Sequence, residues 1–289
     1  MPELPEVETV RRGLAALIVG KVIKTSQNDT AKSFPNSVEN VTQFLYGAKV
    51  TAIRRRAKVL MIDLSTDYSL VIHLKMTGQL VFIDKDERFG AGHPNDSLVN
   101  ALPDKSTRVT IEFNDGSKLF FNDQRKFGWV KLMPTLEIAE LAFMKKVGPE
   151  PLELEFTGEQ FAARFARRGR TNIKAAILDQ SVVAGVGNIY ADESLWGAKI
   201  HPKRLVETIT EKEFRDLYTD LRAVMNLSIE KGGSSNRNYV NAEGKRGSYM
   251  DFARVFRREG LPCPRCGTTI EKLRVAGRGT HICPYCQTL

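Results

Sequence analysis

Apolar side chains recur at helical spacing near the start of the chain. Val7, Val10, Leu14, Leu17 and Ile18 share one face, and the preceding Pro5, Glu6 and Glu8 suit a first helical turn. The pattern predicts a helix with one buried side. From about residue 21 to 133 the period shortens toward two. Val50–Arg55, Val59–Leu64, Ser69–Leu74, Gln79–Phe82, Arg108–Phe113 and Lys118–Phe121 read as strands, with Asn114-Asp115-Gly116 as a hairpin turn. Strands at this spacing, covered by the first helix, predict a β-sandwich or barrel-like first domain. Residues 84–107, rich in Asp, Lys, Gly, Asn and Pro, read as a long surface insertion.

Beyond Pro149-Glu150-Pro151 the pattern turns helical. Thr157-x-x-Gln160 is a capping box opening a helix through about Arg167. Ile173–Gln180 and Asn188–Ala198 read as short helices, and Thr210-x-x-Glu213 opens a longer one ending at Gly232-Gly233. Residues 234–250, rich in Ser, Asn and Gly, read as a mobile loop. No internal repeat is visible. The divisions expected are a domain over 1–134, a linker over 135–152, a helical domain over 153–233, a loop over 234–254 and a terminal segment over 255–289.

Composition narrows the class. The 289 residues are 42% hydrophobic and 27% charged, as in a globular protein, and the net charge of +9 favours a polyanionic partner, nucleic acid first. No apolar run is long enough to span a membrane, and three early glutamates argue against a secretory leader. All four cysteines fall in the last 27 residues, which suits a reducing cytoplasm and a metal site.

Cys263-Pro-Arg-Cys266 and Cys283-Pro-Tyr-Cys286, sixteen residues apart, supply four thiolates for one tetrahedral zinc ion with a structural role. Between these knuckles Arg278 is flanked by glycines and could grip a phosphate, although a solvated hairpin tip has the same composition. The turn Ala184-Gly185-Val186-Gly187 leads into Asn188, where helix amides could hold another phosphate, or simply join two helices tightly. Met76, Arg125 and Phe127 sit in predicted turns. They are either core side chains or a wedge for a gap left by an extruded nucleotide. Arg54-Arg55-Arg56-Ala57-Lys58 reads most simply as a solvated basic strand end, or else as a set of phosphate contacts with Lys58 the residue to reach a reacting sugar's phosphate. At the N-terminus, removal of Met1 would expose the secondary amine of Pro2 beside Glu3. An α-amino group titrates near ~7.7–8.0, so much of it is neutral and nucleophilic. Its iminium with a sugar carbon has no N–H proton to lose and stays an electron sink.

Taken in order, PELPEVETV, HLKMTG, QRKFG, VGPEPL, LDQSVVAGVGNIYADE, GGSS…YVN and CPRCG…RVAGRGTHICPYC resemble the formamidopyrimidine-DNA glycosylase family over essentially the whole chain. The resemblance implies an α+β fold of two domains. An N-terminal helix and β-sandwich precede a helix-two-turn-helix domain that ends in a zinc finger. It implies a monomer that removes 8-oxoguanine and ring-opened purines from double-stranded DNA and cleaves the strand at the abasic site. By motif, Pro2 is similar to the family's nucleophile and Glu3 to its acid/base, with Glu6 holding Glu3 and the helix start. Lys58, Asn188 and Arg278 are similar to its phosphate clamps. Met76, Arg125 and Phe127 match its void-filling residues, with Arg125 facing the orphaned cytosine. Ser234 to Tyr239 falls where the family closes a loop over the flipped base.

The chain also departs from that pattern. Thr77 replaces an acidic residue found in some relatives, Arg257 stands where glycine is frequent, and Asn236 and Asn238 make the recognition loop amide-rich. Two rival readings follow from the same residues. One is the related endonuclease VIII, which removes oxidised pyrimidines but begins Pro-Glu-Gly-Pro where Leu4 stands here. The other is a catalytically silent zinc-ribbon protein that only binds damaged DNA.

Overall fold

The first helix, α1 (Leu4–Ile18), begins where the proline and glutamate pattern places it. Glu3 caps it: its side chain accepts from the Glu6 amide, and the Glu6 carboxylate accepts from the Glu3 amide at 2.8 Å, closing a capping box. Val7, Val10, Leu14 and Ile18 are fully buried and enter the main hydrophobic cluster. This computed structural model describes residues 2–233 and 249–289. Their contacts form two units, 2–145 with 231–233, and Lys146–Glu230 with Tyr249–Leu289.

The N-terminal unit is a two-sheet sandwich. Strands β1 (Ile23–Asn28) and β2 (Val50–Arg56) are separated by a short turn of helix, α2 (Val38–Asn40). Then come β3 (Val59–Leu64), β4 (Tyr68–His73), β5 (Gly78–Ile83), β6 (Arg88–Gly92), β7 (Thr107–Phe113), β8 (Lys118–Asp123) and β9 (Trp129–Pro134). One antiparallel sheet has the order β1-β7-β8-β5-β6 and the other β2-β3-β4-β9. Leu60, Ile62, Leu70 and Ile72 point into the core between the sheets, whereas Val59, Met61 and Val71 alternate to the other face. That outer face is covered by Ile138, Leu141, Phe143 and Met144, which explains why β3 is apolar on both sides.

Residues 84–107 are not a bare surface insertion. They contain β6, which pairs with β5 from Gln79↔Gly92 to Ile83↔Arg88. Phe89 is buried and packs over Gly13 of α1, where an added Cβ would stand 2.1 Å from its ring. Polar composition misleads here because the residues on the strand's second face are Arg88, Gly90 and Gly92, and Gly90 is buried under Leu98 without an apolar side chain of its own. Arg88 then secures the following loop by donating to the carbonyls of Ser97, Leu98 and Asn100.

In the C-terminal unit, α3 (Gly158–Ala163) opens on the expected capping box but stops short of Arg167, giving way to a 3-10 turn at Ala166–Arg168. Helices α4 (Ile173–Leu178), α5 (Asn188–Gly197) and α6 (Glu211–Glu230) follow. Phe214, Leu217, Leu221, Val224 and Met225 of α6 pack with Tyr190, Ala191 and Leu195 of α5 in this unit's core. Tyr249, expected in a loop, is instead a fully buried member of a 3-10 turn, Tyr249–Phe252. The chain ends in a hairpin, β10 (Glu271–Val275) and β11 (Arg278–Ile282). No helix among the described residues is long and apolar enough to cross a membrane.

Candidate nucleic-acid interface and metal centre

Pro2, Glu3 and Glu6 are all buried at the start of α1. The same helix reaches the β2–β3 turn through Glu8. Burial alone would raise the Glu8 carboxyl's pKa, but hydrogen bonds from Arg11 and Arg12 and the Arg55 charge hold it at about 2. Arg55 donates to Glu8 at 3.1 Å and to the carbonyl of Ala57 at 3.2 Å, fixing the turn that carries Lys58. Ala57 has the left-handed φ of 52°, and Lys58 is only 8% exposed. Arg54, in turn, makes two hydrogen bonds to Asp63. Arg54 and Arg55 are therefore paired within the fold, neither simply solvated nor free for phosphate. Ion pairing across a hairpin cannot be told from solvation in one strand's sequence.

His73 ends β4 nearby and was not singled out by any sequence signal. Its Nδ1 accepts from the Lys75 amide at 3.0 Å, which fits a neutral ring. Burial, with the Lys75 and Lys58 charges adding to it, pushes its pKa down to about 3.

Met76 and Phe127 are 41% and 45% exposed, so neither is a core residue. They come together around Arg125, whose Nη1 lies 3.0 Å from the Met76 sulfur and whose guanidinium stacks 4.9 Å from the Phe127 ring centre. Both turns contain a lysine at positive φ, Lys75 at 50° and Lys126 at 56°. Thr77, in place of an acidic residue, is turned inward to the Asp123 carboxylate.

The C-terminal unit presents Asn188 and Arg278 together. Asn188 Nδ2 donates to the carbonyl of Gly279 at 2.9 Å, joining the start of α5 to β11. The hairpin tip is Ala276-Gly277, both left-handed, so the exposed Arg278 is the first residue of β11 rather than the tip itself. Beneath it lies a group of residues that the sequence reading missed. Lys174 Nζ, fully buried, donates to Asp192 at 2.6 Å, to Thr280 Oγ1 at 2.7 Å and to the carbonyl of Gly279 at 3.2 Å. Asp192 also accepts from the His281 amide at 2.9 Å. In sequence Lys174 is one lysine on a short helix, and nothing marks it as buried.

A second buried carboxylate, Glu193, accepts from Tyr249 Oη at 3.0 Å and from the amides of Arg254, Val255 and Phe256 at 2.8–3.1 Å. Arg257 follows with φ 58°, a left-handed conformation that costs a non-glycine residue roughly 1–2 kcal/mol. A glycine would adopt it freely. Ser234 and Tyr239, expected to read the base, lie outside the described residues, as do Asn236 and Asn238.

The Sγ atoms of Cys263, Cys266, Cys283 and Cys286 lie within 4.8 Å of one another, with Cys266 and Cys283 at 3.4 Å. A tetrahedron of Zn–S bonds has sulfurs about 3.8 Å apart, so these distances bracket a zinc site. Four thiolates leave no open position, and the ion is structural. Arg265, inside the first knuckle, caps α5 by donating to the carbonyls of Trp196 and Gly197 at 3.1 Å and stacks on Trp196 at 3.9 Å.

Comparison with known proteins agrees with this arrangement. The formamidopyrimidine-DNA glycosylase N-terminal domain matches residues 1–130, the H2TH domain of the same family residues 147–239, and a zinc finger found in FPG and IleRS residues 260–289. A formamidopyrimidine-DNA glycosylase of Pediococcus pentosaceus is 43% identical over the full length of both chains. A mutant Lactococcus lactis FPG in complex with Fapy-dG-containing DNA superimposes with a TM-score of 0.86 at 35% identity, covering 100% of each chain. The Lactococcus lactis Fpg complex with abasic-site DNA gives 0.86 at 34% identity, covering 99% of this chain and 100% of that one. With a capped Pro-Glu start, a four-cysteine terminal hairpin and full-length likeness at this identity, the chain belongs to the formamidopyrimidine-DNA glycosylase family.

Proposed function

We propose that this chain excises oxidised purines, 8-oxoguanine and formamidopyrimidines, from duplex DNA and then cleaves the abasic strand. The observation that carries the reading is the convergence of Met76, Arg125 and Phe127. Two separate turns bring an apolar, a cationic and an aromatic side chain into one exposed cluster on the unit that also holds Pro2 and Glu3. The Fapy-dG and abasic-site duplexes bound by the Lactococcus lactis relatives support the substrate class. The site of action is the bacterial cytoplasm, where the genome lies.

In this reading the cluster fills the gap left by an extruded nucleotide, with Arg125 hydrogen-bonding the unpaired cytosine. The neutral Pro2 amine attacks C1′ of the lesion sugar. The N-glycosidic bond breaks and the base departs with the proton that the proline nitrogen loses, and Glu3 protonates the ring oxygen as the sugar opens. The resulting iminium is tertiary at nitrogen and keeps its charge. Loss of a C2′ proton then delivers electrons to it as the 3′-phosphate leaves, and a second elimination releases the 5′-phosphate. Lys58, Asn188 and Arg278 hold phosphates near the lesion. The zinc ion supplies no step; it folds the hairpin that carries Arg278.

Borohydride trapping tests the reading. An 8-oxoguanine duplex should give a covalent adduct that peptide mapping places on Pro2, and Pro2→Gly or a retained Met1 should abolish it. An adduct on a lysine in a chain with a blocked N-terminus would refute the assignment. Excision of oxidised pyrimidines in preference to purines would favour the endonuclease VIII reading, and binding without any adduct the silent one.

A further inference from the structure

The Met76 and Phe127 turns are far apart in sequence yet meet in space, and a single buried side chain bonds to both. Asp123, the last residue of β8, is 0% exposed. Its Oδ2 accepts from the amides of Phe127 at 2.8 Å and Gly128 at 2.7 Å, on the far side of the left-handed Lys126. Its Oδ1 accepts from the Thr77 hydroxyl, while Thr77 Oγ1 and Asp123 Oδ1 receive the Arg125 amide at 3.1 and 3.2 Å. One carboxylate and one hydroxyl therefore hold the backbone on either side of all three exposed side chains. The Asp123 backbone is anchored as well. Its amide donates to the Ser106 carbonyl at 2.7 Å, and its carbonyl accepts from Arg108 at 2.8 Å. Ser106 belongs to the 84–107 segment and is fixed by Asp104, which gives that segment a task.

We propose that Asp123 and Thr77 form a buried latch that locks the two turns into one rigid wedge and so sets the preference for the base opposite the lesion. The proposal rests on the wedge reading above. Both residues are positioning residues, acting through Met76, Arg125 and Phe127. The physical reason is preorganisation. A wedge whose parts move independently must be ordered as it enters the duplex, and that cost falls on the insertion step rather than on initial binding. An aspartate here also offsets the strain of the positive-φ Lys126, which it brackets through the amides of Arg125, Phe127 and Gly128.

The test uses the full-length zinc-loaded protein with Thr77→Val, which removes the hydroxyl at nearly constant volume, Thr77→Ser, which keeps it, and Asp123→Asn. Met76→Ala and Phe127→Ala test the underlying wedge. Single-turnover excision from a lesion–cytosine duplex should fall about tenfold in Thr77→Val and at least as far in Asp123→Asn, with the half-saturating DNA concentration nearly unchanged. The rate ratio between cytosine and adenine opposite the lesion should narrow, and Thr77→Ser should restore both. Placing the lesion in a bubble, already unstacked, should erase the deficit. Thr77→Val with wild-type rate and ratio, beside impaired Met76→Ala and Phe127→Ala, would overturn the latch while leaving the wedge standing. A deficit equal on bubble and duplex, or one that serine does not rescue, would also overturn it. Wild-type behaviour of the two alanine variants would instead refute the wedge itself.

Discussion

Replacing Lys174 with methionine should separate the support of the Arg278 hairpin from the hairpin's own chemistry. Methionine keeps most of the side chain's length and fits a fully buried site, but it removes three hydrogen bonds, to Asp192, Thr280 and Gly279. The Asp192 carboxylate, 0% exposed, loses its lysine and keeps only the His281 amide and ring Nδ1. Breaking one side of a buried pair costs about 3–5 kcal/mol, because the remaining charge stays desolvated. For a unit of this size that corresponds to a fall in melting temperature of roughly 10–20 °C. Adding Asp192→Asn removes the stranded charge and should recover at least half of that loss. Neither variant restores the bonds to Gly279 and Thr280, so Arg278 should be poorly held in both. If Arg278 contacts a phosphate, the slope of log affinity against log salt should shrink by about 0.9 in each. Calorimetric melting and DNA titration from low to moderate salt measure the two effects separately. A stability loss under about 1 kcal/mol for Lys174→Met would refute the buried-pair argument. A double variant that regains the full salt slope along with stability would show that Lys174 does not position the hairpin.

Three further outcomes are expected. Stripping zinc, or Cys266→Ser, should weaken DNA binding before it alters melting of the N-terminal unit, measured by metal analysis beside circular dichroism, since the four thiolates flank the terminal hairpin and none lies in the N-terminal unit. Met76→Ala and Phe127→Ala should each lower stability by less than about 1 kcal/mol, because nearly half of either side chain is already in water, and Arg125→Ala should relax the cytosine preference in single-turnover excision. The His73 pKa is depressed to about 3 by burial, so its contribution to stability is fully present above its unfolded value near 6.5 and is lost as pH falls from there toward 3. Urea titrations at stepped pH should show that decline, and His73→Asn should flatten it.

Much of this protein was written in local sequence. The period of apolar residues defines α1 and most strands, capping boxes locate the starts of α3 and α6, and two CxxC pairs specify four ligands. These features depend on neighbours three or four residues away, or on cysteine chemistry that admits few alternatives. Strand β6 was hidden because glycines fill the face that packs under Leu98, and Phe89 shows its purpose only against Gly13 of α1. Exposure of Met76 and Phe127 was likewise undecidable locally, since an apolar side chain in a turn is equally compatible with core and surface. Tertiary structure alone decided which charges are buried. Asp123, Lys174, Asp192 and Glu193 read as ordinary surface residues, yet each is fully enclosed and satisfied by groups from 2 to 106 positions away. A buried charge is tolerable only when a complete set of partners arrives from several elements at once, and no single stretch of chain contains that set.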